Sequence, residues 1–264
     1  MKKQLIAVPY YVWATLFIVV PLLMIVYCAF TDSAGAFTLS NMAQLANYGK
    51  PLGLSVLYAF YATVCCLLLG YPLAYFMAKQ SERVKLALMI LLLLPMWINF
   101  VLRTQAMQDL LDLMQRWLDG AGIGLQVHEN AFAVVLGLIY NYLPFMVLPI
   151  YTALEKLDPK IIEAAEDLGA PPVQVFRRVI LPLSMPGVGS GIIMVFVPTI
   201  STFVISEKLG GGKTSLIGNV IENKFYMTYD LNVGAAVALA MLAMILVTLV
   251  IFTFLDDETK EGLL

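Results

Sequence analysis

Long apolar runs separated by short polar connections dominate the chain. A helix that crosses a hydrocarbon core of about 30 Å needs roughly 20 apolar residues, and it satisfies its own backbone groups where water cannot. On that measure the pattern predicts six spans, at residues 5–30, 54–78, 86–101, 131–153, 188–205 and 233–255. The third is short, and its helix is expected to run on past Arg103 into the segment that follows. The stretch 5–30 is too long for a signal peptide and has no small-residue cleavage site, so it is read as a retained first span. Within 105–118, Met107, Leu110, Leu111, Met114 and Leu118 recur at helical spacing opposite Gln108, Asp109, Asp112 and Gln115, which predicts an amphipathic helix at the outer surface.

The connection at 154–187 carries the densest local signals. Asp158 fits an N-cap and Pro159 the first helical position, Gly169 a left-handed helix end, and Pro171 and Pro172 a second helix start. Pro182 is expected to stop that second helix before the fifth span begins. Val175, Phe176, Val179 and Ile180 then form an apolar stripe beside Gln174, Arg177 and Arg178, a suitable docking element for a soluble partner.

Composition supports a membrane protein: 61% of the 264 residues are hydrophobic and 13% charged, against about a quarter charged in a soluble domain. The net charge of −2 offers no basic excess to neutralise a nucleic-acid backbone. Cys28, Cys65 and Cys66 lie in apolar runs with no metal-binding or redox spacing, and the single histidine, His128, sits in a polar loop. With the N-terminus inside, the inner connections hold Lys2, Lys3, Lys79, Arg83, Lys85, Lys156, Lys160, Arg177, Arg178 and Lys260. The outer ones hold Lys50, Arg103, Arg116, Lys208, Lys213 and Lys224. This bias places both termini in the cytoplasm. Tyr10, Tyr11, Trp13, Tyr226 and Tyr229 suit the membrane interface.

Glu163, Ala164, Ala165 and Gly169, followed by Leu181 and Pro182, resemble the EAA motif of the permease subunits of bacterial ABC importers, with Val179 where that family usually has isoleucine. The segments 141–158 and 210–221 are similar to spermidine/putrescine permeases, and the likeness extends over most of the chain from the second span onward. The resemblance implies an all-α, type I importer-like permease domain over 1–264 in the bacterial plasma membrane. It implies a homologous permease subunit, two cytoplasmic ATPases that hold ATP and magnesium, and an extracytoplasmic polyamine-binding protein as partners, and no cofactor on this chain. ATPase coupling would fall to Glu163, Ala164, Ala165, Gly169, Phe176, Arg177 and Arg178.

A polyamine needs aromatic faces or carboxylates along its route. Trp97, Asn99, Tyr140, Asn141 and Tyr142 within the spans, with Glu207 and Asp230 at the outer mouth, are the candidates. Gly210–Thr214 resembles the end of a phosphate-binding loop, yet Glu207 stands where that motif needs its first glycine, so hydrolysis is expected on another chain. A permease for another small solute and an ion-coupled secondary transporter are the alternatives. The latter usually carries ionisable groups at mid-membrane, and the spans show no clear carboxylate. A lipid-modifying membrane enzyme would need clustered His, Asp, Glu or Ser.

Overall fold

The structure is a computed structural model that describes residues 2–261, with side chains from 8 to 252. The side chains of Lys2, Lys3 and Lys260 lie outside that range. The described residues are mostly helical: α1 (Val8–Ala29), α2 (Ser40–Ala78), α3 (Glu82–Trp97), α4 (Phe100–Gly120), α5 (Ala131–Glu155), α6 (Pro159–Asp167), α7 (Pro172–Ser201), α8 (Val204–Leu209), α9 (Ile217–Glu222) and α10 (Leu231–Glu261). Five helices are long and apolar enough to cross a membrane, and α3 with α4 makes a sixth, broken candidate.

Helices α2 and α5 run parallel and α7 runs antiparallel to both, the three packing side by side as the centre of the bundle. Small residues allow the close approach. A Cβ on Gly187 would stand 2.6 Å from both the Ala153 Cβ and the Pro149 carbonyl oxygen, and one on Gly191 would stand 2.8 Å from the Met146 sulfur. These two glycines, four residues apart on α7, form the small-residue spacing that lets membrane helices pack without an apolar driving force. The first and last long helices, α1 and α10, pair with each other at the edge of this core. Asn232 at the start of α10 ties them, donating to the carbonyls of Cys28 (3.1 Å) and Thr31 (2.7 Å).

Two expectations about helix continuity are overturned. The third span does not run on past Arg103; it breaks at Ile98 and Asn99, and α4 leaves at 95° to α3. The Asn99 side chain accepts from Val101 N–H (2.9 Å) and Leu102 N–H (3.4 Å), so it starts a new helix rather than continuing the old one. Conversely, Pro182 does not stop the helix from Pro172. Phe176–Ile180 widens into a π-turn in which Leu181 N–H reaches the Phe176 carbonyl, and the helix continues to Ser201. A proline ring clashes with the carbonyl four residues back and has no N–H to give it, and the wider turn accommodates both defects. The same device recurs at Thr15–Val19, two residues before Pro21. The helix that carries the fifth span therefore begins far earlier than residue 188, at Pro172, and ends at Ser201, not at 205.

Candidate functional site

The first region of interest is the loop between α5 and α7. Asp158 caps α6 by accepting from Lys160 N–H at 3.0 Å, with Pro159 at the first helical position. Gly169 takes φ +83°, Gly169 N–H bonds the Glu166 carbonyl (2.8 Å), and Ala170 N–H bonds the Ala165 carbonyl (3.2 Å). That pair of bonds is the left-handed glycine termination that satisfies the last carbonyls of a helix.

The faces divide differently from the expected docking stripe. Val175 and Ile180 are buried and Phe176 and Val179 half-buried, all turned onto the protein's own core with Ile162 and Ala165. The outward face instead carries Ile161, Glu163, Ala164, Leu168, Val173, Arg177 and Arg178. Leu168 is 90% exposed and Val173 69%. A concavity of about 430 Å³ lies among Pro171, Val173, Gln174, Arg177 and Arg178. Apolar side chains standing out beside two arginines would gain roughly 1.5 to 3 kcal/mol each if fully covered, so this face is built to be covered.

The second region lies at the opposite end of the core, where the broken helices meet. Between the α3–α4 break and the α7–α8 break, a cavity of about 450 Å³ is lined by Phe100, Arg103, Asn141, Tyr142, Thr202 and neighbours. The backbone opened at Phe203 is not left bare: Asn219 of α9 donates to the Phe203 carbonyl (3.1 Å) and accepts from Ser206 Oγ and from Leu216 N–H (3.1 Å). Gly218 lies so close to the break that a Cβ there would stand 2.7 Å from the Ser201 carbonyl oxygen. Segment 210–221 thus braces the interruption. Irregular backbone at membrane depth occurs where protein or a cavity receives it.

Two buried polar atoms in this cavity lack partners. Asn141 donates to the Gly137 carbonyl (2.8 Å), but its Oδ1 accepts nothing. Arg103 donates through Nη1 to the Pro95 carbonyl (3.0 Å), while its buried Nε has no acceptor. The guanidinium lies 5.8 Å from the Phe100 ring centre and 5.9 Å from that of Tyr140. Arg103 was expected in an outer connection; it is 9% exposed and staples the elbow between α3 and α4.

The seven route candidates do not all gather there. Asn141 and Tyr142 line the cavity, and Tyr140 flanks it through Arg103. Trp97 is 91% exposed on the bundle surface, and the Asn99 side chain is spent on its cap. Asp230 pairs with Lys224 (3.0 Å) and caps the start of α10 at Val233 N–H. Glu207 is exposed near Glu222, whose carboxyl is raised above its usual range first by burial and then by the charge of Glu207. His128 lies 3.3 Å from Asp112, and Lys213 pairs with Glu129 at 3.6 Å across the glycine turn. Among the described residues no cluster of His, Cys, Asp or Glu could hold a metal ion. Sequence reasoning missed Arg103 and Thr202, although Pro95 and Asn99 flanking the elbow were a readable signal of the break.

Residues 70–261 match the model of the family described as "binding-protein-dependent transport system inner membrane component". The chain belongs to this family. It is 38% identical over 243 residues to the "Spermidine/putrescine transport system permease protein PotB" of Salmonella typhimurium (strain SL1344), covering 87% of this chain and 85% of that protein. The PotB protein of Escherichia coli (strain K12) is likewise 38% identical, covering 87% of this chain and 88% of that protein. A crystal structure of a bacterial alginate ABC transporter in complex with an alginate pentasaccharide-bound periplasmic protein shares the fold, with TM-score 0.74 and 14% identity over 97% of this chain and 94% of that one. As a member of this inner membrane component family, the chain is a multi-pass permease subunit of an ABC importer, with the type I importer fold. The family match begins at residue 70 and takes in both regions described above, the projecting loop and the cavity.

Proposed function

We propose that this permease subunit imports polyamines, spermidine or putrescine, with a sister permease, two cytoplasmic ATPases and an extracytoplasmic binding protein. The observation that carries the coupling half of this reading is the α6–α7 element: a short helix and a long one that expose Glu163, Leu168, Val173, Arg177 and Arg178 and continue without interruption into a span. The ATPases seat on that face, and ATP and magnesium stay on them. The loop lies in the cytoplasm, as do both termini, since six alternating spans bring the two chain ends to the loop's side. Residues 154–187 work as a coupling loop within a single permease domain. This chain forms no bond and breaks none.

The polyamine half rests on the extent of likeness to the PotB proteins. The cavity adds an amide acceptor at Asn141 and aromatic faces at Phe100, Tyr142 and Phe145, all suited to ammonium groups. Arg103 opposes occupancy. At about 6 Å and an effective dielectric of about 20, its charge repels the nearest ammonium by roughly 3 kcal/mol and more distant ones by less. Loading therefore requires Arg103 to leave the cavity or carboxylates to arrive from the sister subunit.

Uptake of radiolabelled spermidine into proteoliposomes carrying the whole transporter tests both halves. ATP-dependent uptake competed by putrescine is expected. ATP-dependent activity without polyamine transport would leave the permease and overturn the substrate, and uptake without the ATPases would overturn the coupling.

A further inference from the structure

If the α6–α7 element receives the ATPase stroke, as proposed above, its motion must reach more than the helix it belongs to. The backbone of α7 carries the displacement directly into the fifth span. Reaching α2, which is far away in sequence, requires side-chain contacts across the helix interface, and a contact that fixes both orientation and register carries displacement most directly.

One such contact exists. Phe176, the first residue of the π-turn, sets its ring edge-on to two α2 rings, Tyr71 (5.8 Å between centres, 87° between planes) and Tyr75 (5.5 Å, 75°). Edge-to-face pairs of this kind contribute beyond their buried area and fix relative orientation. The Tyr71 hydroxyl lies 2.8 Å from Ser184 Oγ, two helical turns further along α7. Ser184 is fully buried and donates to the Leu181 carbonyl (2.9 Å), which leaves Tyr71 as the donor across the helix interface. Tyr75 is held from the end of its own helix by the Lys79 ammonium, just past α2 and 4.2 Å from its ring centre. Leucine or phenylalanine at these places would serve an apolar interface; a tyrosine hydroxyl bonded to a fully buried serine instead specifies a single register.

We propose that Tyr71, bonded to Ser184 and gripping Phe176 together with Tyr75, is the positioning contact that transmits displacement of the α6–α7 element to α2. It touches no substrate. The ring pair carries push and the hydrogen bond carries pull, one on each side of the π-turn end at Ile180.

The test uses the complete transporter in proteoliposomes and reads ATP hydrolysed per spermidine imported, together with subunit assembly. Tyr71→Phe keeps the ring and removes the hydroxyl. Assembly and binding-protein-stimulated hydrolysis should stay near wild type while uptake per ATP falls about five-fold, the scale of one lost hydrogen bond. Ser184→Ala should behave the same way, and the double variant should be no worse than either alone. Phe176→Leu should also lower the ratio while sparing hydrolysis. Hydrolysis and uptake falling together, or an unchanged ratio in both Tyr71→Phe and Phe176→Leu, would overturn the proposal. Absence of ATP-dependent spermidine uptake in wild type would instead overturn the underlying functional reading, so the two failures are distinguishable.

Discussion

The two ends of the α2–α5–α7 core are built on opposite principles. At the loop end, helix continues where a proline should interrupt it, because a π-turn absorbs Pro182. At the other end, helix stops where hydropathy would carry it on, at Ile98–Asn99 and at Thr202–Phe203, and a largely apolar cavity with a few polar groups occupies the gap. Continuity transmits force and interruption permits rearrangement. On the proposed function, the continuous end would receive the ATPase stroke and the interrupted end would adjust to admit substrate. The polar cost is distributed unevenly: the loop end satisfies its groups through Asp158, Gly169 and Ser184, while two buried orphans, Arg103 Nε and Asn141 Oδ1, lie at the cavity, and a third, His128 Nδ1, lies in the 121–130 connection.

The largest expected effect strikes what the two ends share. Gly187→Leu forces a side chain against the Pro149 carbonyl and Ala153, atoms of a neighbouring helix that cannot rotate away, and should destabilise by more than about 3 kcal/mol. Loss of assembled complex on size-exclusion chromatography of the detergent-solubilised membrane is the expected result. A normally assembled variant would mean that the helices are not tightly docked there.

Next in size are changes that separate the ends. Asn141→Leu removes the unpaired amide oxygen, so thermal stability should hold or rise by up to about 1 kcal/mol while spermidine uptake falls about ten-fold. If stability and uptake fell together, the cavity would be packing rather than passage. Gly169→Val meets open space but must adopt φ +83°, at a local cost of about 1 to 2 kcal/mol. It should assemble and lose coupling, and Gly169→Asn, which tolerates that conformation, should keep most of it. Equal behaviour of the two variants in an uptake-per-ATP assay would remove the turn from the account.

The smallest effect concerns the acidic pair beyond the cavity. Burial and then the charge of Glu207 raise the Glu222 carboxyl, so the folded protein favours its protonated form. A raised carboxyl contributes stability that is present below its unfolded value and lost as pH rises through its folded one. Glu222→Gln should therefore match wild type in acid and exceed it by a few tenths of a kcal/mol near neutral pH. A wild type that melts higher than the variant at pH 8 would contradict this.

Much of this design is legible in the sequence, though unevenly. Capping chemistry is local, so Asp158, Pro159, Gly169 and Pro171 announce the α6–α7 turn without help from the rest of the fold. Hydropathy finds the spans because their apolar length is set by the membrane. It averages over a dozen residues or more and so passes straight across the breaks at Asn99 and Thr202, each made by one or two residues. Asn99 resembles a polar group in a span and is a cap. Pro182 looks like a stop because the rule for proline assumes α spacing, and the π-turn that rescues it depends on Phe176 packing against Tyr71 and Tyr75 from another helix. Arg103 looks solvated because charges usually are; only the three-dimensional approach of Phe100, Tyr140 and the Pro95 carbonyl explains its burial.

We propose that the loop element moves as one body with α5 and α7 while the broken end rearranges. Distances between paired spin labels in the assembled transporter, in a background with Cys28, Cys65 and Cys66 replaced, test it directly. One pair joins exposed Leu168 and Thr152 within the proposed body, and the other joins Asp109 on α4 to Ser190 on α7, across the α3–α4 break. Between the nucleotide-free and ATP-trapped states, the first distance should stay constant and the second should shift. A moving first pair with a constant second pair would contradict the account.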